Sequence, residues 1–319
     1  MRRRNFLAMI GGCLAARSVW AQQPKIYRFG YLAPAAIPHL EVALFGALAD
    51  LGYVEGKNLR IEYRYGEGGA LKNLAAELIE LEPDVLVTVA SSHALAARQA
   101  TTKIPIVMAS AADPIRLGVV ASLARPGGNV TGVTLYGTEL STKRIEIFRE
   151  AIPSITRLAF LGNGKNRYDQ ILWEEAEPVA RALGLEPSLY NTKEPGDLGQ
   201  IFRDVKNKQA DALIVFPDAL LNSARGQIIA LAAEHRLPAM YEAREFVDDG
   251  GLISYGPDIV EMTRRSAIFV DKILKGANPA DLPIEQPTRF ELAINARSAR
   301  DLGLTLPATL IARADTVIE

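Results

Sequence analysis

Pro83-Asp84-Val85-Leu86-Val87 and, 127 residues further on, Ala210-Asp211-Ala212-Leu213-Ile214 decide how this chain is read. Each is a short apolar run opened by an aspartate, and each is followed by a longer segment of helical spacing. Short β-branched runs alternating with amphipathic segments are the pattern of a parallel sheet covered by helices on both faces. The spacing predicts strands at 27–32, 58–64, 84–89, 105–109 and 130–135, with helices at 39–51, 71–81 and 92–101 between them. The same order then recurs, with strands at 157–161, 185–190, 211–216, 238–241 and 252–254 and helices at 168–183, 198–209 and 219–235.

The two passes line up at landmarks beyond the opening pair. Tyr27-Arg28-Phe29-Gly30-Tyr31-Leu32 matches Thr156-Arg157-Leu158-Ala159-Phe160-Leu161 at a shift of 129 residues, and Lys103-Ile104-Pro105-Ile106 matches Arg236-Leu237-Pro238-Ala239. Gly127-Gly128 through Tyr136-Gly137 resembles Gly250-Gly251 through Tyr255-Gly256. A repeat this long is a duplicated domain and not a solenoid unit. The fold class is therefore α/β, with two Rossmann-like lobes. After the second copy come an amphipathic helix at 259–275, a loop at 276–287, a strand at 289–295 and a helix at 296–302, none with a partner in the repeat. The economical placement carries this segment back between the lobes. That assigns 22–136 with about 256–280 to one lobe and 137–255 with about 281–319 to the other, joined by a hinge of several strands.

The first 21 residues read as an export leader. Arg2-Arg3-Arg4 precede an apolar run from Phe6 to Ala16 that ends before Ser18-Val19-Trp20-Ala21, the charged, apolar, small-residue order of a signal peptide. Arg3-Arg4-Asn5-Phe6-Leu7 also matches the core of a twin-arginine signal. Cleavage after Ala21 is preferred over lipid attachment at Cys13, the one cysteine, and it leaves a mature chain with no disulfide, thiolate or cysteine-based zinc site. The leader holds four of the 36 basic residues, so the mature chain has 32 against 37 acidic ones, a net charge of −5. A diffuse negative balance carries no footprint for nucleic acid. Beyond the leader no apolar run reaches the roughly 20 residues of a membrane-spanning helix.

Several motifs are recognisable together: Leu51-Gly52-Tyr53-Val54-Glu55-Gly56-Lys57-Asn58, Ala75-Ala76-Glu77-Leu78, Asp113-Pro114, Leu123-Ala124-Arg125-Pro126-Gly127-Gly128-Asn129-Val130-Thr131-Gly132, Arg244-Glu245-Phe246-Val247, Asp271-Lys272-Ile273-Leu274-Lys275-Gly276 and Leu302-Gly303-Leu304. With them, the chain resembles the ABC transporter substrate-binding family of type I periplasmic fold, related to the tryptophan and aromatic amino acid binding proteins. The resemblance implies a ligand cleft between two lobes, hinge closure on a small organic molecule and a permease in the inner membrane as partner. It implies a monomer in the periplasm, with no catalytic role, cofactor or metal.

In open α/β sheets ligands bind beyond the carboxyl ends of the strands. That rule selects Ala33-Pro34, Ala90-Ser91-Ser92-His93, 110–114 and Tyr136 in the first lobe, and 162–167, Pro217-Asp218 and 242–244 in the second. Ser91 and Ser92, between a strand and a helix, offer hydroxyls and free N–H groups to a carboxylate, or serve as a plain helix cap. His93 reads as helix surface or cleft wall. Asp113 and Asp218 face a ligand ammonium or are turn and capping aspartates. Arg244 meets an anionic ligand group or pairs with Glu245 or Asp248. Tyr136 stacks on a planar ligand or packs in the hinge. Asn163 belongs to Gly162-Asn163-Gly164-Lys165-Asn166-Arg167-Tyr168, which departs from the serine-rich loop of amino-acid-binding relatives and brings two basic residues that either favour a more anionic cargo or simply face solvent.

Three rivals share the pattern. An exported hydrolase would use Ala90-Ser91-Ser92-His93-Ala94 as a nucleophile turn, but both glycines of G-x-S-x-G are missing. A nucleotide site at Tyr65-Gly66-Glu67-Gly68-Gly69 lacks the third glycine at the required spacing. A sensor partner of a membrane receptor has the same fold, and here no signalling module is attached.

Overall fold

The computed structural model of the chain describes residues 25–135 and 139–319. The leader, Cys13 and Tyr136 lie outside these residues. The first half builds β1 (Tyr27–Ala33), α1 (Pro38–Asp50), β2 (Leu59–Tyr65), α2 (Leu71–Glu80), β3 (Val85–Val89), α3 (Ser91–Ala100), β4 (Ile106–Ala112) and β5 (Val130–Leu135). The second builds α4 (Glu139–Ala151), β6 (Arg157–Asn163), α5 (Arg167–Ala182), β7 (Glu186–Thr192), α6 (Leu198–Asn207), β8 (Ala212–Val215), α7 (Ala219–Ser223), α8 (Arg225–Glu234), β9 (Ala239–Tyr241), α9 (Arg244–Asp248) and β10 (Ile253–Pro257). The tail adds α10 (Ile259–Leu274), β11 (Phe290–Asn295), α11 (Ala296–Asp301), α12 (Ala308–Arg313) and β12 (Thr316–Ile318).

The strands form two sheets. One has the order β2-β1-β3-β4-β5 and is parallel throughout. The other runs β12-β11-β10-β9-β8-β6-β7, with β10 and β11 its antiparallel pair. Read from β7 to β10, the second sheet repeats the strand order of the first. The matched aspartates do the same work in each. Asp84 accepts the N–H of Arg28 at 2.8 Å at the start of β1, and Asp211 accepts that of Arg157 at 2.7 Å at the start of β6. Burial works against the Asp211 charge, but the Arg157 and Thr156 N–H groups and the Thr156 hydroxyl outweigh it and hold the carboxyl below its ordinary range.

The tail ties the halves together. α10 buries Met262, Ala267, Phe269, Val270 and Ile273 in one cluster with Leu44, Leu48, Val107 and Val133 of the first half. Its Asp271 accepts the Tyr53 hydroxyl at 3.0 Å. The chain then pairs beside β5, where the Glu285 N–H donates to the Gly132 carbonyl at 2.9 Å, before β11 joins the second sheet. It passes between the sheets three times: between β5 and α4, between β10 and α10, and between Glu285 and Phe290.

The helix expected at 219–235 is two helices meeting at Ala224, which sits at φ −90° and ψ 8°, outside helical geometry. α4 was not anticipated because its buried side includes Ser141 and Arg144, which breaks the apolar periodicity. α9, α12 and β12 are too short to show a period.

Candidate ligand cleft

A cavity of about 910 Å³ lies between the lobes at the carboxyl ends of the strands. The first lobe lines it with Pro34 after β1, Glu67-Gly68-Gly69 after β2, Ala90-Ser91-Ser92 after β3 and Leu117 after β4. Ser92, Leu95, Ala96 and Gln99 follow as one face of α3, as their i, i+3 and i+4 spacing dictates. The second lobe contributes Asn163 and Lys165 to Tyr168 after β6, Lys193 after β7, Pro217 to Leu220 after β8 and Glu242 after β9. Outside the cavity, Arg116 pairs with Glu175 of α5, and His39 of α1 stands 3.7 Å from Glu245 of α9, so the lobes meet across the cleft.

Ala90 enters α3 at φ 75° and ψ 154°, a conformation an L-residue seldom adopts, and such strain gathers at ligand sites. No side chain caps α3, so its first N–H groups stay open beside the cavity. The Ser91 hydroxyl is already used, since it donates to the Ala112 carbonyl at 3.0 Å and accepts the Ala112 N–H at 2.7 Å. Ser92 Oγ lies 3.2 Å from His93 Nδ1. The His93 ring is fully buried and its Nε2 lies 2.9 Å from the Gly66 carbonyl. Burial pushes this imidazole down to about 4, so it is neutral and donates through Nε2. His93 is thus neither helix surface nor cleft wall. It anchors the glycine-rich loop that puts Glu67 at the cleft mouth.

Asp218 organises the opposite floor. It caps α7 by accepting the Leu220 and Leu221 N–H groups at 2.8 and 3.2 Å. It also takes the side-chain amides of Asn163 at 3.2 Å and Asn166 at 2.8 Å. Beneath it, Asp169 accepts the Asn163 N–H at 2.6 Å. Burial first, and the Asp218 charge second, push Asp169 well above the usual carboxylate range, although the Asn163 N–H opposes this. Glu242 is 8% exposed and its carboxylate takes no hydrogen bond from the described residues. Burial raises it to about 8 against the pull of Arg144, with Glu245 and Asp218 adding to the rise. Arg144 itself is buried and donates from Nε to the Tyr255 carbonyl at 2.7 Å.

Four of the residues picked from the sequence, Ser91, Ser92, Asn163 and Asp218, line the cavity together. Asp113 does not. It is a turn aspartate at φ 41° whose Oδ1 accepts the Arg116 N–H at 3.1 Å. Arg244 points elsewhere too, held by Asp248 at 3.3 Å and Glu291 at 3.1 Å. Lys165 and Arg167 line the cavity from its exposed rim. Sequence reasoning selected the 242–244 turn but singled out Arg244 in it, gave Tyr168 no role, and weighed the Glu67 loop only as a nucleotide site. The strand-end rule applied to β2 finds that loop, and the rule had already selected the turn that holds Glu242. Among the described residues, no cluster of His, Cys, Asp and Glu could hold a metal ion, and no helix is long and apolar enough to cross a membrane.

Comparison with known proteins agrees with this architecture. The chain is 25% identical over 273 residues to a tyrosine-binding protein of Clostridioides difficile, covering 84% of this chain and 78% of that one. A conserved domain protein from Vibrio cholerae superposes with a TM-score of 0.86 at 27% identity, over 92% of this chain and 100% of that one. A domain from Streptococcus pneumonia in complex with L-tryptophan does so at 0.84 and 25% identity, over 92% and 100%. The profile of the ABC transporter substrate binding protein family matches residues 40–318, and the chain belongs to that family.

Proposed function

We propose that the protein is the extracytoplasmic receptor of an ABC-type importer, binding an amino acid or related small carboxylate between its lobes. The observation that carries this reading is the cavity itself, lined from both lobes at the strand ends and spanned by three chain crossings. Ligand contacts made to both walls favour the closed arrangement, so binding free energy shifts an open–closed equilibrium. Moving that balance from mostly open to mostly closed takes on the order of 5 kcal/mol of differential affinity. The relatives that hold tyrosine and tryptophan support a ligand of amino-acid size. The protein works as a periplasmic monomer that presents its closed surface to a permease.

An enzymatic reading finds no support in the cleft. The Ser91 hydroxyl is bound to the Ala112 backbone on both sides, and the far nitrogen of His93 faces a carbonyl, with no carboxylate behind it.

The test is thermal unfolding of the ligand-stripped protein across amino acids, aromatic acids, purines and small carboxylates. A saturable rise in Tm with one compound class, lost in a Ser92→Ala/Asp218→Asn double variant, is the expected result. No rise with any compound, together with turnover of one of them, overturns the reading.

A further inference from the structure

We infer that the second lobe carries another binding site, at the end of its sheet opposite the cleft, for an uncharged ring-bearing molecule whose carbonyl accepts the Tyr241 hydroxyl.

A cavity of about 520 Å³ opens where β9 and β10 begin and β11 and β12 end. The cleft lies at the other end of the sheet, beyond the carboxyl ends of β6 to β9. Small-molecule sites typically enclose roughly 300–1,000 Å³, with mostly apolar walls and a few placed polar groups. Here α8 supplies Ile229 and Ala233 to the wall, the α9–β10 turn Gly250 and Gly251, and α11 Ser298 and Leu302. The floor is Leu237, Ala239, Leu252 and Tyr241, all buried.

One polar group on that floor is left over. Tyr241 is 1% exposed, and its ring stacks on that of Phe246 with centroids 4.5 Å apart and planes at 13°. A Cβ on Gly251 would lie 2.6 Å from the Tyr241 ring and 2.7 Å from the Phe246 carbonyl oxygen, so glycine lets the α9–β10 turn close over the stack. Held in this way, the Tyr241 hydroxyl has no hydrogen-bond partner among the described residues. Its polar neighbours are engaged. Asn295 donates its amide to the Val247 carbonyl and accepts the Ser298 N–H at 2.9 Å, and the Ser298 hydroxyl donates to the Gly250 carbonyl at 2.8 Å. The unpartnered hydroxyls of Tyr31 and Tyr190 are sealed from solvent and line neither this cavity nor the cleft. A phenylalanine at 241 would fill the same space, so the hydroxyl costs the fold free energy until something meets it.

The electrostatics exclude a charge at the inner end. Burial alone raises the Tyr241 phenol above its ordinary range, with no charged neighbour adding to the shift. The charged side chains stand at the exposed rim and balance there. Asp248 pairs with Arg244 and Asp249 with Arg225, while Arg236 and Arg297 are matched in number by Asp301 and Glu319. A carboxylate or ammonium brought to the floor loses its hydration without gaining a counter-charge. A carbonyl loses less and gains the phenol's hydrogen bond.

The experiment uses the full chain with tyrosine carrying carbon-13 at Cζ, the Tyr241 resonance being identified by its loss in Tyr241→Phe. The probes share one ring: acetophenone, ethylbenzene, benzoate and 1-phenylethylamine. Acetophenone is expected to shift the Tyr241 resonance saturably, and ethylbenzene to bind about three- to tenfold more weakly for want of the hydrogen bond. The two ions leave the resonance in place. Ala233→Trp, at an exposed position of α8, fills the cavity and abolishes the acetophenone shift with Tm retained. No saturable shift with acetophenone means that the cavity holds water alone and overturns the inference. A shift that persists in Ala233→Trp, or benzoate binding as tightly as acetophenone, overturns it as well. Each of these outcomes leaves the reading of the cleft standing.

Discussion

Gly256→Ala perturbs the cleft without touching a lining side chain. Gly256 pairs with Glu291 in the β10–β11 ladder, and a Cβ added there would lie 1.9 Å from the Glu242 carbonyl oxygen and 3.5 Å from an Arg144 guanidinium nitrogen. The closest ordinary carbon–oxygen contact is about 3.3 Å, so main chain must yield by roughly 1.4 Å. The obstacle is backbone and cannot swing aside as a side chain would. Overpacking of this kind costs typically 1–3 kcal/mol, and a backbone obstacle puts the variant near about 3 kcal/mol. At roughly 2 °C per kcal/mol for a chain of this size, Tm falls by about 6 °C. The same shift moves Glu242 out of register with the cleft, so ligand affinity drops tenfold or more, about 1.4 kcal/mol. Thermal and urea unfolding measure the first effect and titration calorimetry the second. A Tm within a degree of the parent with unaltered affinity would refute the close approach of β10 to the Glu242 turn.

Gly46 offers the opposite case: it lies in α1 with nothing within 4 Å of an added Cβ, so Gly46→Ala raises stability by about 0.5–1 kcal/mol in urea unfolding. Arg116→Ala removes a lobe-to-lobe ion pair with Glu175; both partners are partly exposed, so ligand affinity weakens only about two- to fivefold and free-state scattering shifts towards a larger radius. His93 titrates at about 4 in the fold and about 6.5 when unfolded, so its contribution is complete above pH 6.5 and is lost as pH falls towards 4. That loss is on the order of 3 kcal/mol, read as the difference in acid dependence between the parent and His93→Gln. Glu242 acts in the other sense, with stability present below about 4.5 and lost as pH rises through 8, so the difference between the two proteins isolates His93.

The centres of the sheets were legible because their strands are short apolar runs with terminal signals, whereas β12 is too short to carry one. Asp84 and Asp211 announce β3 and β8 in the sequence and hold the same backbone positions in space. The cleft was half legible. The strand-end rule puts Ser92, Asn163 and Asp218 on the cavity wall because position along a strand fixes them. It cannot tell which residue of a turn faces inward: Glu242 and Arg244 are two apart, and the side chain that lines the cavity is the acid, while the arginine is drawn off by Asp248 and Glu291. α4 was hidden because a buried arginine looks like surface until the carbonyl it serves, that of Tyr255, is known to lie 111 residues away.

The return of α10 to the first lobe has a consequence for synthesis. The face formed by Leu44, Leu48, Val107 and Val133 is covered by Met262, Phe269 and Val270. These cannot arrive until α4 to β10 of the second lobe have been translated. At about 5–20 residues per second, the interval between β5 and the end of α10 is roughly 7 to 28 s. Throughout it the first lobe stands with a flank uncovered and open to a chaperone. The coding stretch for the second lobe thereby acts as a timer, keeping the first unfinished until translation is nearly over.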